Sequence, residues 1–314
     1  ILSLQPARVD GRYPSQVHIS ASGNIMTASL HQAFERLPNR IKRFVRPSLR
    51  IRTTLTHMDA IRLGQSRIGG QPDVPPRFKW PRYDGLPLSF IAQLNLADFS
   101  DDLRVLPLPS QGSLAFFYDS EQRTWGFDPK DRGSAVVAYF PDPLSVLRFL
   151  PMFPKWVGFR VALYIHTEQS LPDAWSDYYV PQLSEDEKDL LFDYQDAAAA
   201  ESSGPCHRLG GHANCIQNPM EIECQLATNG LFCGDASGYD DPRAEILAPG
   251  ALDWRLLLQV DTDDDAAMMW GDCGMIYFWI HEQDLRAAEF DRSGLSLQCG
   301  WDADDYEFVF AKRP

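Results

Sequence analysis

The 314-residue chain has no apolar run of the roughly 18–20 residues that a membrane-spanning helix needs. It has only six cysteines and no charged-then-apolar leader segment, so the sequence predicts a reducing, cytoplasmic setting. Lys and Arg number 29 against 43 Asp and Glu. This shortage of positive charge argues against direct nucleic-acid binding by the body of the protein, because phosphate contact needs a basic face. Dinucleotide and phosphate-loop fingerprints are also absent.

The charge is unevenly distributed along the chain. Residues 1–70 carry a net charge of +8 and the remaining residues −22, so a basic N-terminal part precedes an acidic body. Residues 1–55 are predicted to form a basic arm with short helices, and residues 56–314 an α+β domain. An acidic body of this kind suits a basic protein partner.

Most of the predicted elements are strands. Apolar and aromatic runs predict them over 88–96, 112–120, 135–140, 157–168, 222–234, 254–261, 274–280 and 306–312. Ser184 and Glu187 form a capping-box pattern, which predicts a helix from that point. The expected fold class is therefore α+β, with a mainly antiparallel sheet and flanking helices.

The two parts of the body resemble each other. FIAQLNL followed by GSLAFFYD corresponds to LLLQVDT followed by GMIYFWIHEQDL. Each first strand has a central glutamine, Gln93 or Gln259, with a polar residue, Asn95 or Asp261, two positions later. This pattern predicts two weakly similar halves, about 56–183 and 204–314, that share one core, with these four residues at paired structural positions.

DTDDDAAMMWGD at 261–272 is the densest acidic run. Asp261, Asp263, Asp265 and Asp272 fall at positions one, three, five and twelve of a calcium-loop spacing. Ala266 replaces the glycine of such loops at position six, and a predicted strand precedes the run. The sequence therefore leaves two interpretations of this run: a calcium or magnesium site, or an acidic surface loop without a metal ion. A metal-dependent or small-ligand-binding enzyme centred on this run, with His207 and Gln217 nearby, is the alternative function.

CHRLGGHANC at 206–215 offers a second potential metal set. Cys206, His207, His212 and Cys215 provide four zinc-type ligands within ten residues. Their spacing matches no familiar zinc motif, so zinc is less favoured than an oxygen-ligated ion. Nothing in the sequence marks one of these cysteines as a nucleophile.

Several separated motifs carry a resemblance to a known family. They are SRIGGQPDVPP (66–76), WP (80–81), LSFIAQLNL (88–96), HRLGGHANCIQ (207–217), IECQLATNG (222–230) and the block from Trp254 to Leu285. Together they resemble the YwqG-like family, the bacterial domain of unknown function 1963. The resemblance implies a mixed α+β domain with two related halves. It implies no reaction, and the setting of some members near polymorphic toxin systems implies an immunity role.

The leading hypothesis is a non-enzymatic protein-binding module that neutralises a toxin domain through its acidic surface. Toxins that act on nucleic acids present basic clefts, and an acidic surface would compete with the polyanion. The candidate partner-binding residues are Asp240, Asp241, Asp263, Asp264, Asp265, Trp270 and Asp272.

Overall fold

The structure, a computed structural model, describes residues 27–56, 61–99, 107–119, 121–142, 148–149, 160–176, 183–200 and 204–300. The α-helices are α1 (Ala28–Arg36), α2 (Asn39–Lys42), α3 (Glu185–Ala200), α4 (Glu221–Thr228), α5 (Pro242–Leu247) and α6 (Glu282–Arg286). Short 3-10 helices cover Leu96–Asp98, Pro129–Asp131, Ala248–Asp253 and Phe290–Arg292.

The strands are β1 (Arg46–Thr56), β2 (Arg67–Ile68), β3 (Asp73–Val74), β4 (Arg82–Tyr83), β5 (Leu86–Pro87), β6 (Ser89–Asn95), β7 (Ser113–Tyr118), β8 (Ala135–Phe140), β9 (Arg148–Phe149), β10 (Arg160–Ser170), β11 (His207–Gly210), β12 (Trp254–Asp261), β13 (Met275–His281) and β14 (Gly294–Gln298). Ten of them form one antiparallel sheet in the order β14-β13-β12-β11-β1-β10-β2-β6-β7-β8. β3 pairs with β9, and β4 pairs with β5. The predicted α+β class with a mainly antiparallel sheet is confirmed.

The strand order is symmetric about the centre of the sheet. The long strands β1 and β10 pair along their full length. Each is flanked by a short strand, then a hairpin, then an edge strand: β11, β12–β13 and β14 on one side, and β2, β6–β7 and β8 on the other. The two halves that the sequence echo predicts are therefore two successive parts of one continuous sheet.

The sheet is curved around one hydrophobic core. Its two edge strands, β8 and β14, approach each other. Phe116 on β7 and Phe278 on β13 occupy equivalent register positions, since their neighbours Ala115 and Tyr277 lie opposite the central glutamines of β6 and β12. The rings of Phe116 and Phe278 contact each other with centroids 5.1 Å apart. The inner faces of both halves thus bury the same core.

β1 changes the predicted domain organisation. The boundary at residue 55 falls inside β1, which lies between β10 and β11 in the middle of the sheet. Its sequence, RPSLRIRTTLT, combines arginines and threonines with few apolar residues, and so it does not stand out as a central strand. α1 and α2 precede it, and α1 packs against α3 through a separate apolar cluster. Residues 1–26 lie outside the described residues.

Two further predictions have clear outcomes. The capping box is confirmed: Ser184 Oγ accepts from the Glu187 N–H at 3.3 Å, and Glu187 Oε2 accepts from the Ser184 N–H at 2.9 Å, just before α3. The strand over 222–234 is wrong, because α4 occupies Glu221–Thr228. Ile222, Cys224 and Leu226 alternate as in a strand, but the buried face of α4 also includes Ala227 at helical spacing. The predicted strand at 306–312 lies outside the described residues.

Candidate functional site

The two glutamines at the centres of β6 and β12 perform the same task. Gln93 Oε1 accepts from the Asp73 N–H at 2.8 Å, and Gln259 Oε1 accepts from the Asn214 N–H at 2.9 Å. Both glutamines are fully buried. Each glutamine holds the segment that follows a pair of glycines, 69–70 in the first half and 210–211 in the second. The φ angles of these four glycines lie between 69° and 74°. Glycine adopts this left-handed backbone without the strain that a Cβ would add.

In the first half, the charged residues beside the glycine pair are buried. Arg67 and Asp73 form an ion pair, Nη2 to Oδ2 at 3.0 Å, with both side chains buried. Arg67 also donates to the Gln71 and Gln65 carbonyls, and Asp73 Oδ2 accepts from the Gly64 N–H at 2.6 Å. The guanidinium and the carboxylate thus neutralise each other inside the protein, as buried charges require.

In the second half the equivalent arrangement is open to solvent. Asn214 takes the place of Asp73 and is exposed, and Arg208 pairs instead with Glu168 of β10 at 2.7 Å. The register of β1 with β11 places Arg50 opposite Arg208, whereas the corresponding position in the first half is Ala162. Compared with the first half, the second half therefore has an additional cation, Arg50, and an amide, Asn214, in place of the carboxylate of Asp73.

Cys206 lies in the centre of this open arrangement. Arg50 Nη1 donates to Cys206 Sγ at 2.7 Å, and the thiol donates to Asn214 Oδ1 at 3.2 Å. The Cys206 N–H donates to Asp261 Oδ2 at 2.7 Å, and Gln259 Nε2 donates to the Cys206 carbonyl. Burial raises the pKa of Cys206, and the positive charges of Arg208 and Arg50 oppose this effect. A thiol that keeps its proton is a poor nucleophile.

The 261–272 loop is anchored by two of the residues predicted to contact a partner. Asp263 is 3% exposed, and its Oδ2 accepts from Thr53 Oγ1 of β1 at 2.8 Å. His207 Nδ1 accepts from the Asp261 N–H, so the proton lies on Nε2, which donates to Asp263 Oδ2 at 3.1 Å. Burial opposes ionisation, but the hydrogen bonds from His207 and Thr53 keep the pKa of Asp263 below its ordinary value.

Trp270 is the second anchor. Its side chain is 0% exposed, packs against Tyr118 with ring centroids 6.0 Å apart, and donates from Nε1 to the Asp261 carbonyl. The interpretation of Asp263 and Trp270 as surface contacts therefore needs correction. A carboxylate that binds its own loop and an indole in the core are both unavailable to a partner.

The anchors leave other residues on the surface. Asp264, Asp265, Met269 and Asp272 are exposed. The loop is also bound from outside, because Gln122 Nε2 donates to the Met269 carbonyl and Gln122 Oε1 accepts from the Gly271 N–H, both at 2.7 Å. The result is a fixed loop that presents three carboxylates and one large apolar side chain.

The loop does not have the geometry of a cation site. Asp263 Oδ1 accepts from the backbone N–H groups of Asp265 and Ala266, and Asp261 Oδ2 accepts from that of Cys206. Burial raises the pKa of Asp261. Within the described part of the chain, no group of three or more His, Cys, Asp or Glu side chains is placed to hold a metal ion. The carboxylates that the calcium-loop spacing selects are bound to N–H groups or point to solvent.

The four potential zinc ligands are not gathered either. His207 is engaged with the loop, as described above. His212 Nε2 lies 2.8 Å from the Phe44 carbonyl, on the side of α1–α2, and burial together with the charge of Arg46 holds its pKa well below the ordinary value. Burial raises the pKa of Cys215, and Cys206 is bound to Arg50 and Asn214.

The remaining predicted residues lie elsewhere. Asp240 is exposed, and Asp241 caps α5 by accepting from the Arg243 N–H at 2.8 Å. Gln217 is structural, since its Nε2 donates to the Cys299 carbonyl and its N–H to Gln298 Oε1. Asn95 and Asp261 are equivalent, because their N–H groups donate to Ser66 Oγ and His207 Nδ1, respectively.

Sequence reasoning missed Arg50 and Thr53, which come from the part of the chain predicted to be an arm. It also missed the equivalence of SRIGGQPD and HRLGGHAN. Both segments carry an arginine two residues before the first glycine of the pair and a polar residue at the eighth position. That alignment would have marked Asn214 as the residue that replaces a carboxylate. It would not have identified Arg50, because pairing across the sheet brings that residue in.

The fold and the site define an internally duplicated α+β protein with one shared core and a rigid acidic loop on its second half. The chain belongs to the family described as Domain of unknown function (DUF1963), whose model matches residues 66–299. This match confirms the resemblance drawn from the motifs. No curated protein matches the chain. Among the described residues, every helix is too short or too polar to span a bilayer.

Proposed function

We propose that this protein is a binding module that neutralises a basic protein partner, such as a nucleic-acid-directed toxin domain, by covering the partner's active site. The observation that carries the proposal is the fixed loop with Asp264, Asp265, Met269 and Asp272 on its surface. Asp263 and Trp270 already hold the loop in place. Binding therefore does not have to include the entropic cost of ordering the loop, and this favours affinity. Exposed carboxylates speed the encounter with a basic partner.

The surroundings of the loop also support a protein interface. The 121–131 segment contacts the loop through Gln122, passes β14 where the Leu297 N–H donates to the Trp125 carbonyl, and reaches Cys233, whose N–H donates to the Phe127 carbonyl. The Cα atoms of Gln122 and Phe127 are at most about 18 Å apart along the chain. A standard interface covers about 800 Å² on each partner, roughly 30 Å across. The loop and the segment around Cys233 are close enough to contact one partner together.

A direct test uses the product of the reading frame adjacent to the gene for this chain. Association would be measured at about 50 and about 300 mM salt for the wild type and for the triple variant Asp264→Asn, Asp265→Asn, Asp272→Asn. We expect a one-to-one complex that blocks the partner's activity. The association rate should fall about tenfold or more in the triple variant and at high salt.

The matched control is Asp142→Asn, Asp186→Asn, Asp189→Asn, which changes the net charge equally at exposed positions away from the loop. It should retain most of the association rate. The proposal would be contradicted if the product of the adjacent reading frame does not bind. It would also be contradicted if both triple variants lower the association rate equally.

A further inference from the structure

The second half has a longer connection than the first between its glycine pair and its central glutamine. Gln93 follows the first glycine pair by 23 residues, whereas Gln259 follows the second by 48. The extra length contains α4, α5 and the 3-10 helix Ala248–Asp253, which pack on one another and on β12. We call residues 221–253 the α4–α5 insertion. Cys224 of α4 packs with apolar residues of β12 and β13, so α4 covers this face of the sheet. The first half forms the equivalent strands with a shorter connection, so strand pairing alone does not explain the extra length.

The α4–α5 insertion exposes large apolar side chains. In the described residues, nine large hydrophobic side chains are exposed, and four of them, Phe232, Tyr239, Ile246 and Leu252, lie within this one insertion. Ile246 is 80% exposed, more than any of the other eight. A concentration of exposed apolar groups, unlike scattered single residues, is typical of an interaction surface.

Local packing positions the segments that carry Phe232, Tyr239 and Ile246. Phe232 packs against Phe127 with ring centroids 5.7 Å apart, and the backbone of Gly238 lies against that of Phe232, so that Tyr239 is held beside it. On α5, Ala244 and Leu247 face inward into a small apolar cluster with Cys233. Ile246 therefore projects outward from a helix whose other face is already buried.

The rim of this surface is acidic. Residues 231–253 contain Asp235, Asp240, Asp241, Glu245 and Asp253 against the single basic residue Arg243. Arg243 is bound to both carboxylate oxygens of Asp241 at 3.0 Å, so it neutralises only that one group. A second copy of this chain would bring the same negative rim against it. Charge complementarity instead favours an apolar group flanked by cations.

We propose that the α4–α5 insertion, through the exposed side chains of Ile246, Phe232 and Tyr239, binds an amphipathic basic segment of the protein partner. The inference rests on the proposed function, and it adds the position of the apolar contact and the chemistry of the segment that fills it. Ile246 contacts an apolar side chain of the partner, and the carboxylates of the rim pair with the lysines or arginines around it.

The test uses the full chain and three synthetic 14-residue peptides with a fluorescent label. One is an amphipathic leucine–lysine peptide, one replaces leucine by serine, and one replaces lysine by glutamate. Binding is followed by fluorescence anisotropy. We expect the leucine–lysine peptide to bind, and the other two to bind about tenfold or more weakly.

Variants locate the site. Ile246→Asp and Ile246→Ser should each weaken binding of the leucine–lysine peptide about tenfold or more, whereas Leu86→Asp should not. Leu86 is the matched control, because it is also an exposed leucine-sized side chain, 50% exposed, but lies on the β4–β5 hairpin of the other half. Thermal unfolding confirms that each variant is folded.

Three outcomes would overturn the inference: equal binding of the serine–lysine peptide, no effect of either Ile246 variant, or sedimentation showing a dimer of the free chain that Ile246→Asp dissociates. The proposed function fails separately. If a partner binds the Ile246 variants normally but does not bind the Asp264, Asp265, Asp272 triple variant, only the inference is wrong. If it binds the triple variant normally but not the Ile246 variants, only the role of the loop is wrong.

Discussion

At the scale of single residues, the two halves treat equivalent charges differently. The first half buries a complete ion pair, and the second half pairs its arginine with a neighbouring strand and leaves an amide on the surface. Removing one partner from a buried pair is costly because it leaves an uncompensated charge. A substitution in one half can therefore be compared with the substitution at the equivalent position of the other half.

Asp73→Asn gives the first half the residue found at position 214 in the second half. We expect it to lower the free energy of unfolding by about 3–5 kcal/mol, because it removes the buried carboxylate that pairs with the Arg67 guanidinium. Urea denaturation measures the change. The reverse substitution, Asn214→Asp, lies on the surface and should change stability by less than about 1 kcal/mol. Similar losses for both variants would contradict this account.

Asp263 and Asp264 are adjacent acids with opposite environments. Asp263→Ala should cost about 2–3 kcal/mol, since it leaves His207 and Thr53 without their acceptor. Asp264→Ala, on the surface, should cost no more than about 0.5 kcal/mol. Thermal or urea unfolding compares them. Equal stability of the two variants would show that Asp263 does not anchor the loop.

At the scale of elements, α4 replaces a predicted strand and brings a carboxyl group against β14. Glu223 Oε1 accepts from Ser296 Oγ at 3.2 Å. Burial raises the pKa of Glu223 from its ordinary value of 4.5 to about 7, and the hydrogen bond from Ser296 opposes this shift. An acid whose pKa rises on folding keeps its proton in the folded state after the unfolded chain has lost it.

It follows that stability falls as pH rises from about 4.5 to about 7, by up to roughly 3 kcal/mol from this group. Glu223→Gln should remove that part of the pH dependence and stabilise the protein at pH 8 relative to the wild type. Ser296→Ala should move the transition to higher pH. Urea unfolding at pH 5 and pH 8 measures all three proteins, and a Gln variant with the wild-type pH profile would exclude Glu223 as the cause.

At the scale of the whole molecule, β1 joins the two halves. It pairs with β10 over eleven residues and with β11 over four. Without it, β10 and β11 would each lose a neighbour in the middle of the sheet, and the shared core would open along its length. We therefore expect the halves to unfold as one cooperative unit, although their sequences look like separable repeats.

A chain that begins at residue 57 should consequently fail to fold cooperatively, in both halves. Circular dichroism melting and amide hydrogen exchange would show broad unfolding and loss of protection in β6–β7 as well as in β12–β13. Cooperative melting of that fragment, with protected hairpins, would show instead that β1 is dispensable for the shared core.

The sequence by itself determined the family, the fold class, the α3 capping box, six strands of the ten-stranded sheet and the existence of two related halves. Each of these depends on residue periodicity or on neighbours a few positions apart. Only the tertiary structure decided that Asp263 and Trp270 face inward, that α4 is a helix, and that Arg50 meets Cys206. Thr53 and Asp263 are 210 residues apart in the chain, so no local pattern reports their hydrogen bond. Spacing places carboxylates on a loop, and strand pairing across the sheet decides which of them reach solvent.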